Sequence, residues 1–184
     1  MVGESALGLL LARPAGEEGS DALARAARGG DLGAFEALVK RYQRRVYGLA
    51  YHQLHDPVEA QDLAQEVFVR LYRNLGRFDP TRAFEPWFWR LAANVAASYG
   101  RKRVAVPAEL PAGAVAPAAP EDALPLEQAL ADLAPALRLP VLLHYYLDLG
   151  LEDIAAALGL TVPAVKSRLH RARRVLRRVL VEEP

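Results

Sequence analysis

The sequence predicts an all-α fold of two small helical domains joined by a linker rich in proline and alanine. Over most of the 184 residues, apolar side chains recur every three or four positions, which is the spacing of one buried helix face. Alanine, leucine and arginine are abundant, whereas runs of β-branched residues are scarce. Five prolines between positions 107 and 125 interrupt the pattern, and proline at that density forbids a continuous helix.

We therefore divide the chain into four parts. Residues 1–20 are expected to be a flexible leader, 21–103 the first helical domain, 104–124 the linker and 125–184 the second domain. Hydrophobic residues make up 52% of the chain, which is enough for a buried core and speaks against global disorder.

Local signals place the helices of the first domain. A short helix from Asp21 to Arg28 ends at two glycines, and Asp31 is positioned to cap a second helix. Pro57 fits the first turn of a third helix, because proline is favoured there. A loop at 76–82 follows, and the last helix begins near Phe84.

Four helices are expected in the second domain, at about 126–133, 136–147, 152–158 and 162–180. Pro140 requires a bend or an early position in the second of them. Between the last two, Gly159 suits a tight turn with a positive φ, and Thr161 is placed to cap the helix that follows. Two helices joined in this way are typical of a helix-turn-helix.

The last helix carries a strongly basic face. Residues 161–181 hold seven lysines and arginines and no acidic residue, although the formal net charge of the chain is only +1. In a helix-turn-helix, the N-terminal part of the second helix contacts base edges in the major groove. That part presents Lys166, Ser167, His170 and Arg171 as readers, flanked by Arg168 and Arg174 as phosphate ligands and by Thr161. The alternative is a solvated basic face on a helical bundle.

In the first domain, aromatic side chains lie among cations. Trp87, Phe88 and Trp89 are consecutive, so they cannot all face one side of a helix. Aromatic rings beside cations are typical of single-stranded DNA binding, in which stacking contributes roughly 1–3 kcal/mol per base. The side chains that could form such a surface are Phe78, Arg82, Trp89, Arg90, Asn94 and Arg101. Core packing is the alternative, and it suits Trp87 and Phe88 at least as well.

Composition excludes several classes of function. The chain has no cysteine, which rules out disulfides, thiolate metal sites and thiol nucleophiles. Its four histidines lack ligand spacing, and neither a catalytic constellation nor a cofactor motif is evident. The apolar run at 7–12 is too short to span a membrane, so we expect no membrane insertion and a cytoplasmic location.

Two long stretches lie on either side of the linker. The stretch before the linker contains DLAQEVFVRLYRNLGRFDP and FEPWFWRLAANVAASYGRKR, and the stretch after it contains LEDIAAALGLTVPAVKSRLHRAR. The first resembles the second conserved region of the extracytoplasmic-function sigma factors of bacterial RNA polymerase, and the other resembles their fourth. The resemblance runs from about residue 21 to 178, interrupted only by the linker. Two long motifs in the family's order are a specific combination.

The resemblance implies a protein that binds core RNA polymerase and directs it to promoter DNA, with no catalytic residue and no cofactor. The helix-turn-helix would read the −35 element, and the first domain would hold a flipped base of the melted −10 element. Asp62, Gln65 and Glu66 match the motif that docks on the clamp helices of the largest polymerase subunit. Without the family resemblance, this acidic face would be interpreted as ordinary solvated surface. An anti-sigma factor is implied as a further partner.

The −10 positions that the resemblance implies include Arg90, Asn94 and Ser98, with Phe78 nearby. Ser98 stands where the family usually has an aspartate or another strongly polar residue, and Gly150 stands where a serine often caps the first helix of the helix-turn-helix. Three other functions stay open: a repressor or activator acting without polymerase, an enzyme on a helical scaffold, and an adaptor that binds a protein through the acidic face. A repressor would need symmetric half-sites and a dimer interface.

Overall fold

A computed structural model describes residues 17–104 and 124–181, and these residues are helical almost throughout. The first half contains four α-helices, which are α1 (Glu17–Arg28), α2 (Leu32–Leu54), α3 (Pro57–Asn74) and α4 (Phe84–Val104). A 3₁₀ turn, Leu75–Arg77, follows α3. Within the described ranges there is no strand, which confirms the predicted all-α class.

The second half contains α5 (Leu124–Asp132), α6 (Pro135–Val141), α7 (Leu151–Leu158) and α8 (Val162–Val181), with a π-helical turn, Leu142–Tyr146, after α6. Pro140, for which a bend or an early position was expected, is the penultimate residue of α6, and the π-helical turn begins at Leu142.

One boundary differs from the sequence prediction. Helix α1 begins at Glu17, so the last part of the expected leader is helical. Ser20 is buried there, and its hydroxyl accepts hydrogen bonds from Tyr42 Oη and Arg41 Nη1, both at 2.8 Å. A lone serine gives no sign of such partners in the sequence. The remainder of the expected leader (1–16) and nearly all of the linker (105–123) lie outside the described residues.

Helix α2 starts at its predicted cap, and α3 has an aspartate cap of the same kind. The Asp31 carboxylate accepts the Ala34 N–H at 3.0 Å, and the Asp56 carboxylate accepts the N–H groups of Val58 and Glu59. Each carboxylate satisfies first-turn donors that have no partner within the helix. The turn before α8 has Gly159 at φ 65°, in the left-handed region that glycine adopts without strain.

A single hydrophobic core runs through both halves of the described chain. In the first half it is built from the apolar stripes of α2, α3 and α4, whose fully buried side chains include Leu38, Tyr42, Leu63, Leu71 and Phe88. Each such side chain contributes roughly 1.5–3 kcal/mol through the apolar area removed from water. The second half adds Leu133, Leu142, Leu143 and Ile154 to the same core.

The two halves contact each other along two seams. Helix α4 packs on α7, and α2 contacts α5, α6 and the π-helical turn. At the second seam Gly48 of α2 faces Tyr146, and a Cβ atom at Gly48 would overlap the tyrosine hydroxyl. The His52 ring meets the same tyrosine edge-on, with ring centroids 5.8 Å apart. Glycine therefore permits a close approach that any larger residue would obstruct.

A buried guanidinium joins the ends of two helices at this seam. Arg138 Nε donates to Leu130 O at 2.7 Å, and Nη2 donates to Leu133 O and Ala131 O, where α5 ends. Its Nη1 donates to Gln53 O at 2.8 Å, in the last turn of α2. Helix C-termini carry carbonyls without intrahelical partners and a partial negative charge. One cation thus satisfies two such ends.

His55 completes this cluster. It follows the last residue of α2 with φ 53°, and its Nδ1 lies 3.1 Å from Arg138 Nη1. Arginine can only donate, so Nδ1 accepts and the imidazole is neutral. Burial first, then the positive charges of Arg138 and His52, lower the pKa of His55 to about 4.

Replacing Arg138 with methionine is expected to lower the free energy of unfolding by about 2–4 kcal/mol, because buried carbonyls lose their donors. Thermal and urea unfolding followed by circular dichroism would measure this loss. Arg73→Met, which removes an exposed arginine from the last turn of α3, is the matched control and should change stability by less than about 0.5 kcal/mol. Similar midpoints for both variants would contradict the capping role.

Stability is expected to fall as the pH drops from about 6.5 towards 4. Across this window the unfolded chain binds a proton at His55, whereas the folded chain keeps its pKa at about 4 and stays neutral there. The variant His55→Gln should show a shallower dependence of the urea midpoint on pH. Some slope should remain, since burial also lowers the pKa of His52. Identical slopes in variant and wild type would disprove the assignment.

Candidate nucleic-acid interface

The basic face of α8 is exposed along its length. Val165, Leu169 and Ala172 are buried against the rest of the second half, as the periodicity predicted. The opposite face presents the predicted base readers to solvent, namely Lys166, Ser167, His170 and Arg171, together with Arg174. In the described part of the chain none of these cations forms an ion pair. The face is therefore free of competing carboxylates.

Two predicted members of this face have local roles. Arg168 is half-buried, and its Nη1 lies 3.5 Å from Ala136 O. Its side chain therefore connects α8 to α6 within the second half. Thr161 is exposed at the start of α8, where its hydroxyl accepts the Ala164 N–H at 3.4 Å. The hydroxyl thus lies at the predicted cap position, although the hydrogen bond is long.

A groove of about 970 Å³ lies between α3, α4 and α7. One wall is acidic and comes from α3, with Glu59, Asp62 and Glu66. The groove therefore brings part of the predicted polymerase-binding set next to the predicted −10 set. Gln65 and Asp62 are exposed, and Glu66 pairs with Arg70 at 3.1 Å, one helical turn further along α3.

The opposite wall is a polar stripe of α4. Arg90, Asn94 and Ser98 are four residues apart, so they lie on one face of the helix and line the groove together. Asn94 is exposed, whereas the other two are half-buried. Arg90 Nη1 lies 3.6 Å from the carboxylate of Asp153 on α7. The three residues that the family resemblance implied are thus adjacent in space.

Phe78 and Trp89 require a correction. Their exposed fractions are 1% and 3%, so neither ring offers a face on which a base could stack. Phe78 packs against Phe84 at 5.5 Å between centroids, and the Arg45 guanidinium covers Trp89 at 4.7 Å. Tyr42 from α2 also meets the Trp89 ring edge-on, with ring centroids 5.6 Å apart. Both rings are core residues of this structure.

Two predicted cations remain. One does not line the groove, and the side chain of the other lies outside the described residues. Arg82 is highly exposed and lies 3.6 Å from the Asp79 carboxylate in the loop before α4. Arg101 belongs to α4 by its backbone, and its side chain is outside the described set.

Several residues that line the groove were not predicted from the sequence as members of a site. Trp87, interpreted as core or partly exposed, is half-buried and lines the groove. Arg70, Asn74 and Arg77 continue the α3 wall beyond the acidic part. Their spacing of four and three residues could have revealed a shared face, because such residues are neighbours on a helix.

Among the described residues there is no group of three or more histidine, aspartate or glutamate side chains arranged to hold a metal ion. The same residues include no helix that is long and apolar enough to cross a membrane.

Comparison with known proteins decides the family. The chain matches the family models for Sigma-70 region 2 over residues 38–105 and for Sigma-70 region 4 over residues 123–176. It is 32% identical over 173 residues to the ECF RNA polymerase sigma factor SigW of Bacillus subtilis, across 82% of this chain and 91% of the relative. This chain belongs to the ECF sigma factors.

Other relatives and solved structures agree. The sigma factor is 35% identical over 170 residues to the RNA polymerase sigma-H factor of Pseudomonas aeruginosa, across 82% of this chain and 88% of that protein. The structure of CnrH in complex with the cytosolic domain of CnrY matches 91% of the chain and all of CnrH, with a TM-score of 0.65 and 26% identity. The sigma factor RpoE of Bartonella quintana, solved with the anti-sigma factor NepR, has the same fold, with a TM-score of 0.64 at 24% identity.

Replacing Phe78 with alanine is expected to cost about 3–5 kcal/mol of stability, because a fully buried ring leaves a cavity in the core. Tyr72→Ala, which removes a ring that is 56% exposed, should cost less than about 1 kcal/mol. Urea unfolding of both variants measures the difference. Near-wild-type stability of the Phe78 variant would show that the ring is not a core residue.

Proposed function

We propose that this sigma factor binds core RNA polymerase through the acidic face of α3, holds melted −10 DNA in the groove and reads duplex −35 DNA with α8. The observation that carries the proposal is the groove itself, in which Asp62 and Glu66 face the polar stripe of Arg90, Asn94 and Ser98. Membership of the sigma family and the exposed basic face of α8 support it.

At the −35 element, Lys166 and Arg171 are the proposed base readers. Both are exposed on the outward face of the second helix of the helix-turn-helix, in the part that enters the major groove. Lysine and arginine donate to O6 and N7 of guanine, and Ser167 and His170 add shorter polar contacts. Arg174, one turn further along, suits a phosphate and contributes affinity without sequence preference.

At the −10 element, we assign recognition to the groove and to Trp87 in place of the buried aromatics. An extruded base needs a pocket that bonds its exposed edge and covers its ring. Asn94 carries both a donor and an acceptor for that edge, and Arg90 and Ser98 lie one turn on either side of it. The half-buried indole of Trp87 supplies the aromatic surface.

For the polymerase, Asp62, Gln65 and Glu66 form the proposed docking face towards the clamp helices of the largest subunit. The first two are exposed, and all three lie within little more than one turn of α3. A patch of carboxylates on a DNA-binding protein repels nucleic acid, which favours a protein partner at that wall.

We also infer that a protein inhibitor, an anti-sigma factor, controls this chain. The support is the structure of RpoE of Bartonella quintana, which was solved with the anti-sigma factor NepR. Affinity purification from the native host would test it. Recovery of the free chain alone, under conditions in which the promoters are silent, would count against such an inhibitor.

The central experiment combines transcription-start mapping with reconstitution. Overproduction of the protein in its host identifies the promoters, and purified core polymerase with the protein should then start transcription on those templates in vitro. Asp62→Asn with Glu66→Gln should weaken core binding without affecting binding of the isolated chain to promoter duplex. Absence of any core-dependent initiation would refute the sigma activity and favour a repressor or an adaptor.

Lys166→Ala and Arg171→Ala should each weaken binding to a mapped −35 duplex by roughly 1–3 kcal/mol per lost base contact, and relax specificity at the contacted position. Arg177→Ala is the matched control, since this exposed cation lies nearer the end of α8 and outside the reading part. Loss of this cation should weaken binding to all duplexes to the same small extent, whatever their sequence. Equal effects of the three substitutions on specific and random duplexes would argue against base reading.

A further inference from the structure

We infer that Asp21 of α1 is a positioning residue for the groove, because its carboxylate caps α4 and thereby holds the Trp87 ring in place. The cap and its effect on Trp87 are properties of this chain, and only their consequence for DNA rests on the proposed function. Helix α1 is then needed to hold the melted −10 strand, although none of its residues that the structure describes lines the groove.

The start of α4 receives no cap from the residue before it. Ala83 precedes Phe84, the first residue of α4, and a methyl group cannot accept a hydrogen bond. The Phe84 N–H instead donates to the Asp21 carboxylate at 2.8 Å, across 63 positions of the chain. The first N–H groups of a helix have no partner within the helix, and they carry a partial positive charge. A carboxylate from another helix therefore supplies both the missing acceptor and a charge of favourable sign.

Asp21 is itself held in place by the packing of α1 on α2. The residue before it, Ser20, is buried and accepts hydrogen bonds from Tyr42 and Arg41 of α2, both at 2.8 Å. Ala24, about one turn further along α1, is fully buried, and α1 contacts α2 along its length. Because these contacts are made to α2, the carboxylate keeps its place independently of the loop before α4.

The capped turn carries Trp87 to the groove. Trp87 lies three residues after Phe84, so the two side chains are neighbours on α4. Its ring contacts the rings of Phe84 and Phe78, with centroids 5.9 and 5.3 Å apart. Those two rings are buried, whereas the Trp87 indole is half-buried and lines the groove. The aromatic surface of the groove therefore depends on the first turn of α4 remaining helical.

A local conformational cost makes this support necessary. Pro86, the third residue of α4, disfavours helical backbone angles at the residue before it, Glu85, which is nevertheless helical. The Glu85 carboxylate lies 3.7 Å from Arg45 Nη1, and a partly exposed ion pair of this kind contributes little. The hydrogen bond to the Asp21 carboxylate is charge-assisted and short, so it is the stronger of the two interactions that hold this turn.

The positioning role is tested in the full-length protein with Trp89→Phe, which leaves Trp87 as the one tryptophan of the chain. In this background Asp21→Ala should speed amide hydrogen exchange at Phe84 roughly fivefold, as expected for loss of one cap, and should increase quenching of Trp87 by acrylamide. Asp21→Asn should restore most of the protection, because its amide oxygen can accept the same hydrogen bond. Unchanged exchange and quenching in Asp21→Ala would overturn the inference.

Asp31→Ala is the matched control, because Asp31 also caps a helix, α2, by accepting the Ala34 N–H at 3.0 Å. Its urea midpoint should fall by about as much as that of Asp21→Ala, since each variant loses one cap. Exchange at Phe84 and quenching of Trp87 should nevertheless stay as they are in the parent protein. Equal changes in the two variants would indicate a general loosening of the first half and would reject a specific role for Asp21.

The consequence for DNA is measured with core polymerase reconstituted with chains that keep the native Trp89. A short fluorescent single strand from a mapped −10 element should bind roughly two- to fivefold more weakly to the Asp21→Ala holoenzyme, since the first turn of α4 is then ordered in only part of the molecules. Asp21→Asn should restore binding, and Asp31→Ala should not weaken it.

The outcomes separate the inference from the function on which it rests. Faster exchange at Phe84 with unchanged strand binding would overturn the role of Asp21 in holding the strand. A wild-type holoenzyme that fails to initiate at any mapped promoter would instead reject the proposed function. Exchange at Phe84 and quenching of Trp87 would still decide whether Asp21 positions the ring, because neither measurement requires DNA or polymerase.

Discussion

The buried guanidinium of Arg138 is the interaction on which the arrangement of the two halves depends. A charge removed from water is costly unless donors and acceptors are matched around it. Here the partners are backbone carbonyls at the ends of α5 and α2, which themselves need donors. Arg138 and α5 belong to the same half, whereas Gln53 O belongs to the other, so the end of α2 receives this donor only when the halves lie together. Capping within each half and docking between them are therefore coupled.

In the proposed function, different partners bind different walls of the groove, and the surface charge is distributed in keeping with this. The net charge of +1 hides a carboxylate face on α3 and a run of seven cations in α8. Opposite signs a short distance apart favour a protein on one side and a nucleic acid on the other, while repelling the wrong partner from each. The groove lies where these regions meet, which explains why it contains Asp62 and Arg90 on facing walls.

Local features of the fold could be predicted from the sequence, and long-range ones could not. Asp31 and Asp56 cap helices through residues two or three positions away, so their role is visible in a short window. Arg138 contacts a carbonyl 85 positions away, and no periodicity shows it. Trp89 failed as a prediction for the same reason, because Tyr42 and Arg45, which cover its ring, belong to another helix. The stripe of Arg90, Asn94 and Ser98 could be predicted because it needs only one helix.

The close contact between α2 and the π-helical turn requires a residue without a side chain at Gly48. Mutation therefore removes this contact more easily than it restores it. Every change in the first or second base of a glycine codon adds a side chain, or ends the chain, and each added side chain would meet the Tyr146 hydroxyl. This close contact between α2 and the π-helical turn can thus be lost by many single-nucleotide changes and regained by few.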